Sequence, residues 1–413
     1  MQAHTVSNFI CYVIAVVAVA MIVVAGFATP TSAATETVIH AFANNSSDGA
    51  NPVAGLVNVN GTFYGTTEGG GASGNGAIFS VNPKTGTEKL LYSFCSQTRC
   101  SDGAVPVAGL VSVYGTLYGT TERGGTNSSC RQGCGTVFSF RPRTGTETVV
   151  YSFQGGNVGD GANPMAGLIN VNGTLFGTTY NGGDNTACSG GCGTVFSFVY
   201  KTAAEAVVHT FEGSINGDGA NPTAGLIYVN RLLYGTTEYG GASNYGMVFS
   251  TDTSGNETDL YDFQDSGDGA YPLGGLVSVF GTLYGTTYGD NTVCSGSCGT
   301  VFSIDRSGNE TTLYSFCSQA SCSDGSNPVA GLTNVYGTLY GTTQFGGPNN
   351  GDGTVFSINR KTGVETVLYS FCQTNCSDGD EPSAGLINVL GTLYGTTLYG
   401  GTAGKGTVFS LKP

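Results

Sequence analysis

From residue 35 onward the apolar positions fall in short runs, and no run keeps a helical period of useful length. Stretches such as "AGLVNV", "TLYGTT", "TVFSF" and "ETVVYSF" are rich in β-branched and aromatic residues and are punctuated by Gly, Asn, Asp and Ser. That alternation predicts strands joined by turns. The first strand meets the second through Asn-Gly or aromatic-Gly, a two-residue hairpin signal. The third meets the fourth through "NPKTGT" or "DRSGN", a second turn signal.

This four-strand set recurs. "GTLYGTT" or a close variant ends at Thr67, Thr121, Thr179, Thr237, Thr287, Thr343 and Thr397. Each copy follows an Asp-Gly phrase, at Asp48, Asp102, Asp160, Asp218, Asp268, Asp324 and Asp378, at spacings of 50 to 58 residues. Seven four-stranded units at this period predict an all-β, seven-bladed β-propeller. A β-solenoid is the competing reading. The phase of the repeat decides between them: "TETVIHAF" (Thr35–Phe42) is a fourth strand standing before any first strand, and the seventh unit stops at its third, "GTVFSLKP". A ring that completes its last blade with its N-terminal strand leaves no open sheet edge between its ends. Thr35–Phe42 is therefore expected to pair with the strand around Gly406–Ser410.

The recurring "GTLYGTTxxGG", "GTVFS", "TGxET" and "LYSF" resemble the Gloeobacter/Verrucomicrobia-type tandem repeat of exported bacterial proteins, the GloVer or choice-of-anchor family. The match covers nearly the whole chain after the first segment. This resemblance brings no catalytic residues with it. The blade pattern is also similar to that of quinone-dependent dehydrogenase propellers, but their repeated Trp has no counterpart, since the chain contains no Trp.

Ile10–Phe27 is an apolar run followed by the small residues of "ATPTSAATE". Residues 1–33 therefore read as a secretory signal peptide, with an uncleaved anchor as the alternative, and 34–413 as the propeller. Cys11 lies in that leader. The other cysteines form local pairs: Cys95/Cys100, Cys130/Cys134, Cys188/Cys192, Cys294/Cys298, Cys317/Cys322 and Cys372/Cys376. Even, local pairing in an exported chain predicts disulfides rather than zinc ligands. The expected location is secreted, cell-surface or periplasmic. With a net charge of -14, a nucleic-acid partner is excluded, because phosphate binding needs a basic footprint. The membrane enters only through the leader, and a monomer is expected.

Strand order places the fourth-to-first and second-to-third loops on one face, and these loops carry all the cysteine pairs. The residue after each "GTT" varies between copies: Glu68, Glu122, Tyr180, Glu238, Tyr288, Gln344 and Leu398, with Arg123, Tyr239, Phe345 and Tyr399 beside them. Aromatics, acids and one Arg around a ring mouth suit a glycan or a protein ligand. The seven Asp-Gly carboxylates are expected to cap their own turns, with a Ca2+-binding ring as the alternative. His40 and His209 stand where other copies have Tyr92, Tyr151, Tyr261, Tyr314 and Tyr369, and read as substitutes for them rather than as catalytic bases or metal ligands. No other cofactor is expected. The glutamates opening the fourth strands are expected beside the basic turns of the opposite face, leaving the loop face negative and hostile to anionic polymers. Departures from the repeat look scattered.

The reading is a non-enzymatic binding module; the alternative is a polysaccharide-active hydrolase or lyase using acids of the loop face. One local oddity is Arg231, which replaces a turn glycine, so that the fourth unit is expected to use a different or a strained turn.

Overall fold

The structure, a computed structural model, describes residues 34–43, 45–155, 159–183, 187–290, 298–348 and 351–413. The leader and Cys294 lie outside the described residues. Seven four-stranded antiparallel sheets follow one another along the chain. In blade 1 the strands are Val57–Val59, Thr62–Thr67, Ala77–Val81 and Glu88–Ser93, from the innermost to the outermost. Blades 2 to 6 repeat this order, their innermost strands beginning at Val111, Ile169, Ile227, Val277 and Thr333. Blade 7 joins Ile387–Val389, Thr392–Thr397 and Thr407–Lys412 to the N-terminal strand Thr35–Ala41. Thr35 pairs with Lys412 and Ala41 with Thr407, so the expected closure is what forms.

The repeat's invariant residues explain the blades. In every blade the Gly of "YGTT" pairs with the Phe of "VFS", as Gly119 does with Phe138. A Cβ on Gly119 would lie 2.6 Å from the Phe138 ring and 2.8 Å from Leu110, so no larger residue fits under that ring. Every outermost strand carries a bulge against its neighbour, such as the one between Val137 and Phe138. The extra residue turns the following Tyr or His toward the next blade.

Three rings of contacts hold the blades together. The Phe ending each outermost strand packs edge-on against the "VFS" Phe of the next blade, with centroids 4.9 to 5.1 Å apart, from Phe94–Phe138 round to Phe42–Phe79. Nearer the axis, the first Thr of each "GTT" donates its hydroxyl to a backbone carbonyl of the next blade at 2.9 to 3.3 Å. The ring runs from Thr66 Oγ1 to Ala108 O and closes with Thr396 Oγ1 to Ala54 O. The core follows the same plan, as seven clusters each shared by two neighbouring blades.

Of the two turns expected at Arg231, the strained one is what forms, not a different one. Arg231 adopts φ 71 in the same two-residue turn that the other blades build with glycine at φ 80 to 92, each preceded by a residue at φ 51 to 53. The twist of the hairpin imposes the type I′ turn on all seven copies, and Arg231 is held in its strained form. Among the described residues no helix is long and apolar enough to cross a membrane.

Candidate functional site

The third ring of contacts involves ionisable groups. Each Asp-Gly carboxylate accepts backbone amides of its own loop, as Asp102 does from Ser96 at 2.9 Å and Gln97 at 3.2 Å. The turn-capping reading is therefore the one the structure shows. In five interfaces a tyrosine of the preceding outermost strand also donates to that Asp: Tyr92, Tyr151, Tyr261, Tyr314 and Tyr369, at 2.7 to 2.9 Å. The fourth-strand glutamate of the next blade completes each clasp. Glu147 faces Tyr92 and Asp102, Glu205 faces Tyr151 and Asp160, and Glu36 faces Tyr369 and Asp378.

This corrects the expected placement of the glutamates. They turn into the blade interfaces rather than lying beside basic turns, and there a phenol partners Glu36, Glu147 and Glu205. Burial and the neighbouring Asp push Glu36, Glu88, Glu147, Glu205, Glu310 and Glu365 up to about 7. The hydrogen bonds of the clasp hold Asp102 below the usual carboxylate range despite its burial. Much of the acidic charge is thus spent inside the ring.

His40 and His209 do replace the tyrosine, meeting Asp48 and Asp218 at 3.4 Å. Around His209 the departures from the repeat are concentrated, not scattered. Asp259 pairs with Phe249 where the other blades carry Leu90, Val149, Val207, Thr312, Val367 or Val38, and Asp262 stands beside it. Glu257 and Asp259 are both raised, through burial and their mutual repulsion with Asp218 and Asp262.

On the loop face, short bridges such as Gly49 to Gly70 tie the two kinds of loop together. Cys95–Cys100, Cys130–Cys134, Cys188–Cys192, Cys317–Cys322 and Cys372–Cys376 are bonded within their own loops, as expected. The sixth pair differs, because only Cys298 of it lies within the described residues. Cys298 is fully buried and engaged in a disulfide, and its expected partner, Cys294, lies outside them. The expected rim residues separate into groups. Glu68 feels Glu122 and Arg123 of the next copy, and Arg123 Nε meets Glu122 at 3.1 Å. Tyr180 and Tyr239 both hydrogen-bond Glu238, whose carboxyl is raised by burial. The phenols of Tyr180 and Tyr239 are pushed up to about 12 by burial and that acid. Gln344 donates to Glu381 at 2.9 Å. Tyr288, Phe345 and Tyr399 join the ring through their backbones.

Tyr245 and Tyr271 extend the Glu238 group and were not singled out by the sequence reading. The Tyr271 ring lies 5.5 Å from Tyr239 and 5.7 Å from Tyr245, edge-on to both. Tyr271 sits at φ 57, at the position before proline where Asn51, Asn163, Asn221 and Asn327 adopt the same conformation. Asn tolerates that backbone, whereas a bulky ring is strained there. Comparing copies at this position would have found it.

One blade back along the ring, Arg99, Arg123 and Arg131 line a depression of about 620 Å³ with no acid among its lining residues. Arg99 is presented from left-handed backbone, φ 58, inside the loop closed by Cys95–Cys100. The depression gathers three guanidinium groups on a face expected to repel anions, with Arg123 held by Glu122 at its edge. Asn163 joins Arg123 and Arg131 in an adjoining depression. It accepts from Asn181 at 3.1 Å and from the backbone amide of Tyr180 at 3.0 Å. A track therefore runs from the arginines through Asn163 to Tyr180, Glu238 and the tyrosine group.

The family described as the Gloeobacter/Verrucomicrobia repeat matches residues 25–131, 126–322 and 294–413. No curated protein matches the sequence. Among solved structures, the chain is similar to the extracellular domain of a one-component system from B. thetaiotaomicron, at 10% identity and a TM-score of 0.54, covering 90% of this chain and 39% of that one. It is similar to a puromycin hydrolase, at 10% identity and a TM-score of 0.51, covering 84% of this chain and 50% of the hydrolase. An oligogalacturonate lyase from Vibrio parahaemolyticus matches at 10% identity and a TM-score of 0.50, covering 93% and 94%. Likeness at this identity is likeness of fold.

Proposed function

Since the chain belongs to the Gloeobacter/Verrucomicrobia repeat family and closes its repeats into a ring, we propose that it is an exported glycan-binding module. The ligand it suits is an oligosaccharide bearing carboxylate groups, laid along the loop face. The observation that carries this reading is the track from Arg99, Arg123 and Arg131 through Asn163 to Tyr180, Glu238, Tyr239, Tyr245 and Tyr271. Guanidinium groups bind carboxylates in paired hydrogen bonds. Tyrosine rings offer apolar faces to sugars while their hydroxyls stay wet. The loop disulfides support export, because such bonds persist in oxidising compartments.

A binding screen with neutral and uronate-containing oligosaccharides tests the reading. The acidic ligands should bind more tightly, and added salt should weaken them. Binding of neither class to the wild-type protein would end it.

The second reading, a polysaccharide-active enzyme, draws on Glu238. A carboxyl raised by burial among aromatic rings is suited to protonate a leaving oxygen. Product analysis after incubation with the same oligosaccharides separates the readings: shortened chains that vanish in Glu238→Gln would make it an enzyme.

A further inference from the structure

The two histidine clasps differ from the five tyrosine clasps in a way that hydrogen bonding does not explain. A phenol hydroxyl reaches its Asp at 2.7 to 2.9 Å, whereas both imidazole Nε2 atoms stand 3.4 Å from theirs. That is long for a hydrogen bond to a carboxylate. His209 Nε2 is buried and has no hydrogen-bond partner. Glu257 Oε1 and Glu88 Oε1 are buried and unpartnered as well, an excess of acceptor that Glu36, Glu147, Glu205 and Glu365 share, so the imidazole is what sets these clasps apart. In each clasp one ligand atom from the His, the Asp and the Glu all lie within 4.8 Å of one another.

We propose that His209, Asp218 and Glu257 form a binding site for a divalent cation of the Zn2+ class, and that His40, Asp48 and Glu88 form a second. Two ligands of a tetrahedral Zn2+, each about 2.1 Å from the metal, stand about 3.4 Å apart. The observed Nε2-to-carboxylate spacing matches that edge. One imidazole with two carboxylates is a Zn2+ donor set, whereas Ca2+ takes about six to eight oxygens.

The His209 site is the stronger of the two. Asp259 and Asp262 lie on the same strand as Glu257 and add negative charge around it. Both sites have an entry path, since the His209 and Asp218 side chains keep 16% and 14% of their surface exposed, and His40 and Asp48 keep 19% and 10%. The site would pin blade 3 to blade 4 and blade 7 to blade 1, the latter being where the N-terminal strand closes the ring. It is independent of the glycan track.

The test is calorimetric titration of ZnCl2 into the chelator-treated, untagged full-length protein, with CaCl2 as the comparison. Wild type should take up two equivalents of Zn2+, His209→Tyr one and the double variant H40Y/H209Y none. Zn2+ should also raise the melting temperature of wild type but not of the double variant. Because five other interfaces already carry tyrosine, the variants should fold as wild type does in the absence of metal, which circular dichroism checks. A single equivalent that disappears in H209Y would overturn the second site and uphold the first. No uptake by wild type, or two equivalents retained by the double variant, would overturn the proposal.

Discussion

Five blade interfaces close through a tyrosine and two through a histidine, at the same place in the same fold. In the five, the phenol donates to the capped Asp at full hydrogen-bond strength, 2.7 to 2.9 Å. In the two, the imidazole stands 3.4 Å from its Asp, and His209 Nε2 is left without a hydrogen-bond partner. The aromatic pair underneath does not change, since Phe153–Phe196 and Phe211–Phe249 have nearly the same separation, 5.1 and 5.0 Å. In a chain of near-identical repeats, then, what all copies share is scaffold, and chemistry has to be sought where one copy departs. Tyr271 at a strained Asn position teaches the same lesson on the loop face.

The comparison breaks most visibly if the shared layer is removed. Phe153→Ala, under a tyrosine clasp, and Phe211→Ala, under a histidine clasp, should each cost about 3–5 kcal/mol in urea unfolding. A much smaller loss at Phe211 would mean that the histidine interfaces are not built on the common scaffold. One step down, Tyr151→Phe removes the donor to a nearly buried Asp160 and should cost about 1.5–3 kcal/mol. His209→Tyr, assayed without metal, should cost nothing or add stability. Equal losses in the two variants would erase the distinction between the clasps.

The fold was legible because the repeat writes it seven times, and because Thr35–Phe42 is out of phase with the rest. Local turn chemistry was legible too, down to the Asp that caps each loop. The clasps were not, for a physical reason. Their Glu and Tyr come from neighbouring blades, and a bulge that breaks the strand alternation aims the Tyr at that Glu. Their position at the opening of the fourth strands puts the glutamates with the basic turns instead. On the loop face the reading found Tyr180, Glu238 and Tyr239 by comparing one column of the repeat. Tyr245 and Tyr271 lie in other columns, and the gathering of Arg99, Arg123 and Arg131 depends on how two loops fold back over each other.

A smaller effect, spread over the whole ring, follows from the glutamates. Six are raised from 4.5 to about 7 on folding. An acid raised on folding binds more protons in the folded state, so its contribution is full below the unfolded value and fades as pH climbs through the folded one. Asp48 and Asp102, held low, act in the opposite direction and only at more acidic pH. The melting temperature should therefore be higher at pH 5 than at pH 8, by an amount softened by the partial exposure of these side chains. Glu147→Gln should flatten part of that slope, and a melting temperature that rises from pH 5 to pH 8 would contradict the clasp assignment.

The central claim is that function sits in the departures from the repeat, and Tyr271→Asn tests it most directly. The substitution restores the residue that four other copies carry at the same backbone angle, so the variant should melt at or above the wild-type temperature. In the same preparation, calorimetric titration with the best uronate-containing oligosaccharide should show affinity weakened about tenfold, the loss of a ring contact worth about 1.4 kcal/mol. Undiminished affinity in a well-folded Y271N variant would contradict the account.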